Sequence, residues 1–310
     1  MPELDAPARE STVRFLAGQV RRHLVWARTE GLGRLIEEDQ LNPVDRAAVR
    51  LSKWRWRLAN PRPPGAAAVF LVGLQRSGTN MIVRGLERSP EFAVYNENHR
   101  AAFDRFQLRP DPVIRTLVER CRHPYVLLKP LCDSDRIVHL LDELGTSLPR
   151  RALWVYRSVD GRVRSAVAKF GDHNLRVLRE VAAGRGLDRW QARGLSRDSL
   201  ERLASLDWTR LSPESAAAMF WYVRNRLFFE LGLDRRPDVL LVSYDAMIRD
   251  PEAEMHRITG FLDFPYDPRL IAHVAPRAAA GAPALDLDPQ VRAWCDELAA
   301  ALDASHRQRI

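Results

Sequence analysis

One segment constrains the fold of this chain more than any other: an apolar run, then a turn bounded by two glycines, then a helical pattern. It spans residues 69–80 and reads VFLVGLQRSGTN. In such a strand-turn-helix unit, the backbone amides of the turn and the positive end of the helix dipole together form a cradle for an anion. The segment therefore predicts an anion-binding loop in an α/β domain. A tight turn without a ligand is the simpler alternative.

The glycine spacing distinguishes two chemistries. Gly73 and Gly78 have the spacing of a Walker A loop, but Thr79 stands where that loop has its lysine and Asn80 where it has its Mg²⁺-binding Ser or Thr. Transfer of a nucleoside triphosphate's phosphoryl group needs a metal to neutralise the phosphate oxygens. The loop cation is instead Arg76. The loop therefore favours a donor that is used without a metal.

The rest of the chain alternates short apolar runs with helical periodicity, which is typical of a parallel sheet with crossover helices. Strands are predicted at residues 67–72, 92–97, 125–129, 152–156 and 239–243. Helices are predicted at residues 79–88, 136–144, 161–169, 213–231 and 251–262, and from Pro289 onward.

Helical spacing also precedes the first strand, with Val13, Leu16, Val20 and Leu24 on one stripe and a second helix starting near Pro43. The proline-rich residues 60–65 read as a linker. We therefore predict an N-terminal helical extension at 1–65 and an α/β domain at 66–310. The extension carries Trp54 and Trp56 beside arginines, which would suit peripheral contact with a membrane surface, although packing on the domain is the simpler expectation.

Composition limits the class of protein. The 310 residues are 46% hydrophobic and carry a net charge of +8, so a sizeable core and an anionic partner are both expected. The three cysteines form no CxxC pair, which argues against a disulfide framework or a zinc site. The N-terminus is acidic and polar, unlike a signal peptide, and no apolar run is long enough to span a membrane. A cytoplasmic location is therefore expected.

Two motifs resemble a known family. Residues 74–81, LQRSGTNM, look like the 5′-phosphosulfate loop of sulfotransferases that use 3′-phosphoadenosine 5′-phosphosulfate (PAPS). Residues 154–165, WVYRSVDGRVRS, resemble the family's 3′-phosphate motif, with Arg157 and Ser165 at the family spacing. The proline usual two residues after that arginine is Val159 here. A third stretch, LVSYDAMIRDP at 241–251, resembles the family's late strand, so the resemblance covers residues 67 to about 265.

The resemblance implies a three-layer, P-loop-like fold with a central parallel β-sheet flanked by helices. It implies a metal-independent enzyme that moves a sulfuryl group from PAPS to the hydroxyl or amine of a small-molecule, carbohydrate or lipid acceptor, with a general base, and that releases adenosine 3′,5′-bisphosphate. Its donor-binding residues here would be Arg76, Ser77, Gly78, Thr79, Asn80, Arg157, Ser165 and Arg277.

Four residues are candidates for the chemistry. Arg76 would stabilise charge on the leaving oxygen, and Lys129, one of only three lysines, closes a strand whose terminal lysine reaches the active site in related enzymes. Family members that act on carbohydrates, tyrosine or bacterial metabolites commonly place a catalytic glutamate after the loop helix, where Glu97 lies. His99 is the competing base, because its pKa needs less adjustment. If residues 92–99 are extended, Tyr95, Glu97 and His99 face the same side.

Asp133 and Asp135 are weaker candidates, since either would also suit capping of the helix at 136.

Two other function classes remain open from the sequence: a nucleotide-dependent kinase built on the same loop, and a basic nucleic-acid-binding protein. Thr79 and Asn80 argue against the first. The even spread of arginine, without a recognised module, argues against the second, so no nucleic-acid partner is expected. The acceptor's identity and the oligomeric state are not indicated.

Overall fold

A five-stranded, wholly parallel sheet forms the centre of the computed structural model, with strand order β2-β5-β1-β6-β7. A separate antiparallel pair, β3 and β4, lies outside it. The strands are β1 (Ala67–Gly73), β2 (Phe92–Tyr95), β3 (Phe103–Asp104), β4 (Gln107–Leu108), β5 (Tyr125–Leu128), β6 (Arg150–Tyr156) and β7 (Val239–Ser243).

Helices connect and cover these strands. They are α1 (Pro43–Ala59), α2 (Thr79–Arg88), α3 (Asp111–Glu119), α4 (Ile137–Asp142), α5 (Val159–Phe170), α6 (His173–Ala182), α7 (Arg197–Ala204), α8 (Pro213–Glu230), α9 (Tyr244–Arg249), α10 (Pro251–Phe261) and α11 (Pro289–Gln308). Short 3₁₀ helices lie at Leu131–Arg136, Leu233–Arg235 and Pro268–Leu270.

The structure describes residues 43–275 and 283–308, and it divides into two units, of which the second begins at Trp56. The helix predicted on the stripe from Val13 to Leu24 lies outside the described residues. The predicted domain boundary at residue 65 stays a prediction. Within the described ranges, no helix is long and apolar enough to cross a membrane.

Strand alternation sends neighbouring residues to opposite faces of the sheet. Phe70 and Trp154 pack on one face, beneath α5, α8 and α11. Leu71 and Val155 pack on the other, beneath α2 and α10. Both faces of the sheet are thus buried, as is typical of parallel sheets with crossover helices. The predicted fold class, a three-layer P-loop-like α/β fold, is confirmed.

The strand order fixes where a ligand can enter. After β1 the chain crosses through α2 to β2 on one side of the sheet, and after β6 it crosses to β7 on the other side. The loops that follow β1 and β6 therefore diverge although these strands are neighbours. Such a divergence at the carboxyl ends of parallel strands opens a crevice, and ligands of α/β proteins bind there.

Several predicted elements match closely, including β1, α2, α10 and the helix that begins near Pro43. The predicted strand at 92–97 is shorter than expected, because β2 ends at Tyr95. A turn follows, in which the amide of His99 donates to the carbonyl of Asn96 at 2.7 Å. The two asparagines that flank Glu97 favour such a turn over a continued strand. Helices α3, α6, α7 and α9 had not been predicted.

The carboxyl end of β6 is joined to α11 by a partly buried hydrogen bond. Tyr156 is 3% exposed, and its hydroxyl donates to Asp303 Oδ1 at 2.6 Å. Burial, with a contribution from Asp303, raises the pKa of Tyr156 above its ordinary range. The bond therefore joins the terminal helix to the strand that carries the site.

We expect Tyr156→Phe to lower the free energy of unfolding by about 1 kcal/mol, because it leaves the Asp303 carboxylate without its donor. Tyr125→Phe is the matched control, since that hydroxyl donates to the carbonyl of Asp263 at a solvent-exposed position. Urea denaturation of both variants measures the difference. Equal losses in the two variants would contradict a specific role for the bond between Tyr156 and Asp303.

Candidate functional site

The anion loop, residues 74–80, joins β1 to α2 at the crevice. Its last turn is built on Gly78, which lies at the N-cap of α2 with φ of 91° and has no side chain to occupy the amides of the first helical turn. Arg76 also has a positive φ, 70°, which is uncommon outside glycine and often marks a functional site. The loop thus directs backbone donors and one cation into the same space.

Tyr244, the first residue of α9, packs against this loop. A Cβ added at Gly78 would lie 2.1 Å from Cδ2 of Tyr244, so only glycine allows the approach. The same ring also makes a cation-π contact, because the Arg157 guanidinium lies 4.4 Å from its centroid. Tyr244 therefore holds together the loops that follow β1 and β6. Tyr244 lies within the third sequence motif, 241–251, which predicted no role for it.

The two predicted phosphate-binding motifs meet in the structure. Arg76 Nε donates to the hydroxyl of Ser165 at 2.9 Å, and Arg157 Nη1 lies 3.5 Å from the carbonyl oxygen of Arg76. Arg157 Nε is buried and has no hydrogen-bond partner. Burial, together with the charge of Arg76, lowers the pKa of Arg157. Two cations and a hydroxyl thus share a site in which one buried donor still needs an acceptor.

The turn after β6 is fixed by contacts from other segments of the chain. Val159 occupies the first position of α5, where proline would be favoured for its fixed φ. Asp245 instead clamps the turn, accepting the amide of Ser158 at 2.6 Å and its hydroxyl at 3.0 Å. Trp221 Nε1 donates to the carbonyl of Arg157 at 2.9 Å from the opposite side. These contacts between distant segments fix the position of Arg157.

A second cluster contains Lys129, Asn80 and Glu97. Lys129 is 7% exposed, and its Nζ donates to Asn80 Oδ1 at 2.7 Å and lies 3.8 Å from Glu97 Oε2. The other carboxylate oxygen, Glu97 Oε1, is buried with no hydrogen-bond partner. Burial raises the pKa of Glu97, and the charge of Lys129 opposes that rise. The cluster places a carboxylate of raised pKa beside the anion loop.

His99 is placed differently. Its side chain is exposed, its ring lies edge-on to Tyr95 with centroids 4.7 Å apart, and its Nδ1 accepts the amide of Ala101 at 3.3 Å. Since β2 ends at Tyr95, the strand alternation expected to align Glu97 with His99 does not continue that far. These contacts of His99 are with residues close to it in sequence, whereas Glu97 reaches Lys129.

Asp133 and Asp135, considered as caps, instead form a charged network with the long insertion before α7. Asp133 accepts the amide of Leu108 at 2.7 Å, and both carboxylates lie 2.9 Å from nitrogens of Arg193. Between them, the Ser134 hydroxyl accepts the amide of Gly73 at 3.2 Å. The 3₁₀ turn at Leu131–Arg136 thereby braces the start of the anion loop. The partners of these residues, Gly73 and Arg193, lie about 60 residues away in sequence, so no local sequence pattern predicts the contacts.

Three other arginines, of which only Arg277 was predicted to bind the donor, differ in position. Arg162 is 1% exposed and donates to the carbonyl of Ala217 at 2.8 Å, and burial lowers its pKa to about 9. Arg164 donates to the carbonyl of Pro283. Arg277 lies outside the described residues. In the ranges 43–275 and 283–308, no group of three or more His, Cys, Asp or Glu side chains is placed to hold a metal ion.

Comparisons with known proteins gave matches among solved structures only. No family model and no curated protein matches the chain. A sulfotransferase domain from the curacin biosynthetic pathway matches with 13% identity and a TM-score of 0.45, over 77% of this chain and 99% of that domain. Mouse sulfotransferase SULT7A1, complexed with PAP, matches with 14% identity and a TM-score of 0.42, over 77% of this chain and 86% of that chain.

Sulfotransferase STF9 from Mycobacterium avium matches over 97% of this chain and 98% of its own, with 16% identity and a TM-score of 0.40. Similarity at these identities and TM-scores does not establish an activity.

We expect Gly78→Ala to destabilise the protein, because the new methyl group meets the Tyr244 ring and an alanine is strained at this φ. Gly171→Ala is the matched control: its φ is 56°, but a Cβ there has open space around it. Thermal unfolding should show a larger loss for Gly78→Ala. Equal losses would mean that the contact with Tyr244 contributes nothing.

Proposed function

We propose that this protein is a sulfotransferase that moves a sulfuryl group from PAPS to a hydroxyl or amine acceptor. The observation that carries the proposal is the junction of Arg76, Arg157 and Ser165 at the crevice between β1 and β6. A donor with phosphate groups at two separate positions suits these two cationic loops, and PAPS is such a donor.

The residues fit the two ends of this nucleotide. The amides of residues 78–80 and the Arg76 guanidinium would hold the 5′-phosphosulfate, whereas the amide of Ser77 donates to the carbonyl of Leu74 at 3.3 Å. Arg157 and Ser165 would hold the 3′-phosphate, and a phosphate oxygen would satisfy the unpartnered Nε of Arg157. Gly161 keeps the space beside that nitrogen clear, since a Cβ there would lie 2.8 Å from it. The fit of the 3′-phosphate therefore rests on the unpartnered Nε of Arg157 and on the absence of a side chain at Gly161.

The chemistry requires one proton transfer and stabilisation of one developing charge. The acceptor oxygen bonds to sulfur, its proton passes to the base, and the bridging oxygen leaves with adenosine 3′,5′-bisphosphate. Arg76 and Lys129 would stabilise the negative charge that grows on that bridging oxygen. The guanidinium of Arg76 would act by its charge and not as an acid.

Asn80 supports a metal-independent reaction. It occupies the position of the Walker A Mg²⁺ ligand, and its side-chain oxygen accepts a hydrogen bond from Lys129 Nζ. A lysine ammonium would thus stand near the place where a P-loop enzyme holds its metal. This contact favours the transferase over the kinase alternative.

Glu97 is the base that the geometry supports best. Its buried Oε1 has no partner and is available to an acceptor hydroxyl, and its raised pKa is suited to proton removal near neutral pH. Lys129 lies beside the other oxygen of the same carboxylate and limits how far the pKa rises.

We expect Arg157→Ala to remove most of the preference for adenosine 3′,5′-bisphosphate over AMP, since that preference would depend on the 3′-phosphate. Isothermal titration with both nucleotides measures it. Arg185→Ala, which removes an exposed arginine paired with Glu180, is the control for a general loss of charge. Full discrimination retained by Arg157→Ala would remove the 3′-phosphate assignment.

We expect Glu97→Gln to lower the transfer rate on the order of 10²-fold or more while leaving nucleotide affinity intact. In the wild type, activity should fall as the pH drops through the raised pKa of Glu97, because only the deprotonated carboxylate accepts a proton. Lys129→Met should move this acidic limb to higher pH, since Lys129 lowers that pKa. Rate profiles against pH test both effects. Normal turnover by Glu97→Gln with loss in His99→Asn would reverse the two roles.

A further inference from the structure

A groove of about 820 Å³ runs beside β2, the edge strand of the sheet. Its walls are mainly apolar: Ala93 and Tyr95 from β2 face Val113 and Leu117 from α3. Val113 is 40% exposed, so the apolar surface is open to a ligand from solvent. We call this feature the edge groove. Its volume is that of a pocket that buries a molecule of drug size.

The charged side chains that line the edge groove are all positive. Arg57, Arg120 and Arg122 line it and are exposed, and no acidic side chain is among the described residues that line it. Apolar walls attract a hydrocarbon chain, and a cluster of arginines attracts an anion, above all a carboxylate, phosphate or sulfate. The groove therefore has the chemistry to bind a molecule with both features.

One wall residue of the edge groove, Tyr95, is close along the chain to the candidate base. The carbonyl of Tyr95 accepts the amide of Lys129 at 3.2 Å. Glu97 follows Tyr95 by two residues, which is roughly 7 Å of chain at most. Its Oε1 has no hydrogen-bond partner, so it offers an acceptor to a ligand hydroxyl that reaches it.

We infer that the edge groove binds the acceptor, and that the acceptor is an anionic amphiphile: an apolar chain with the reacting hydroxyl at one end and an anionic group at the other. The chain would lie against Val113 and Leu117, the anionic group would contact Arg120 and Arg122, and the hydroxyl would reach Glu97. This inference rests on the proposed function for the reaction, but the binding itself can be measured without it.

The test uses 12-hydroxydodecanoate as the probe, with 1,12-dodecanediol as its uncharged counterpart, in isothermal titrations of the full chain. We expect the acid to bind at least tenfold more tightly than the diol. The double variant Arg120→Ala/Arg122→Ala should remove that difference, and Val113→Asp should weaken both ligands. The control double variant Arg176→Ala/Arg185→Ala removes two exposed arginines outside the groove and should leave the affinities for the acid and the diol unchanged.

Equal affinity for acid and diol, or wild-type affinity in the Arg120→Ala/Arg122→Ala variant, would overturn the inference. Thermal shifts with adenosine 3′,5′-bisphosphate, run on the same variants, separate this failure from that of the proposed function. Stabilisation by the bisphosphate without groove-dependent binding of the acid would reject the edge groove alone. No stabilisation by the bisphosphate in any protein, wild type included, would reject the sulfotransferase function and the acceptor role with it.

Discussion

The contact of the Tyr244 ring with Gly78 and with the Arg157 guanidinium is the interaction on which the candidate site depends. The parallel sheet opens a crevice where the loops after β1 and β6 diverge, and diverging loops do not by themselves hold a fixed distance. Tyr244 enters from the end of β7 and contacts both. Because the approach at Gly78 leaves no space for a Cβ, the relative position of the two loops is set by packing of the backbone against a rigid ring.

That arrangement concentrates positive charge at a cost in stability. Arg76 and Arg157 repel each other, and the buried Nε of Arg157 lacks an acceptor. Removing a cation from water costs several kcal/mol, and the attraction of Asp245 for Arg157 offsets only part of that cost, since the pKa of Arg157 is still lowered. The surrounding contacts, from Trp221 to the Arg157 carbonyl and from Asp245 to Ser158, hold the site in place in spite of this cost. An anionic ligand would supply the missing acceptor, so the strained site is already arranged for phosphate.

The sequence predicted the parts of the site that are local and missed those that depend on distant partners. The anion loop and the strand ends at Lys129 and Arg157 follow from apolar runs and glycine spacing, and these signals are contained in a few consecutive residues. Glu97 was predicted to lie in a strand, but it lies in the turn after β2, because the asparagines that flank it favour a turn. The roles of Tyr244 and Ser134 could not be predicted, because each is defined by a contact with a loop more than 60 residues away in sequence.

The most direct test of the account is a crystal structure of the protein with adenosine 3′,5′-bisphosphate. The account predicts that the 5′-phosphate accepts hydrogen bonds from the amides of the anion loop, and that the 3′-phosphate contacts Arg157, including its Nε, and the Ser165 hydroxyl. A nucleotide bound in the opposite orientation, or with its 3′-phosphate in solvent and Arg157 Nε still without a partner, would contradict it.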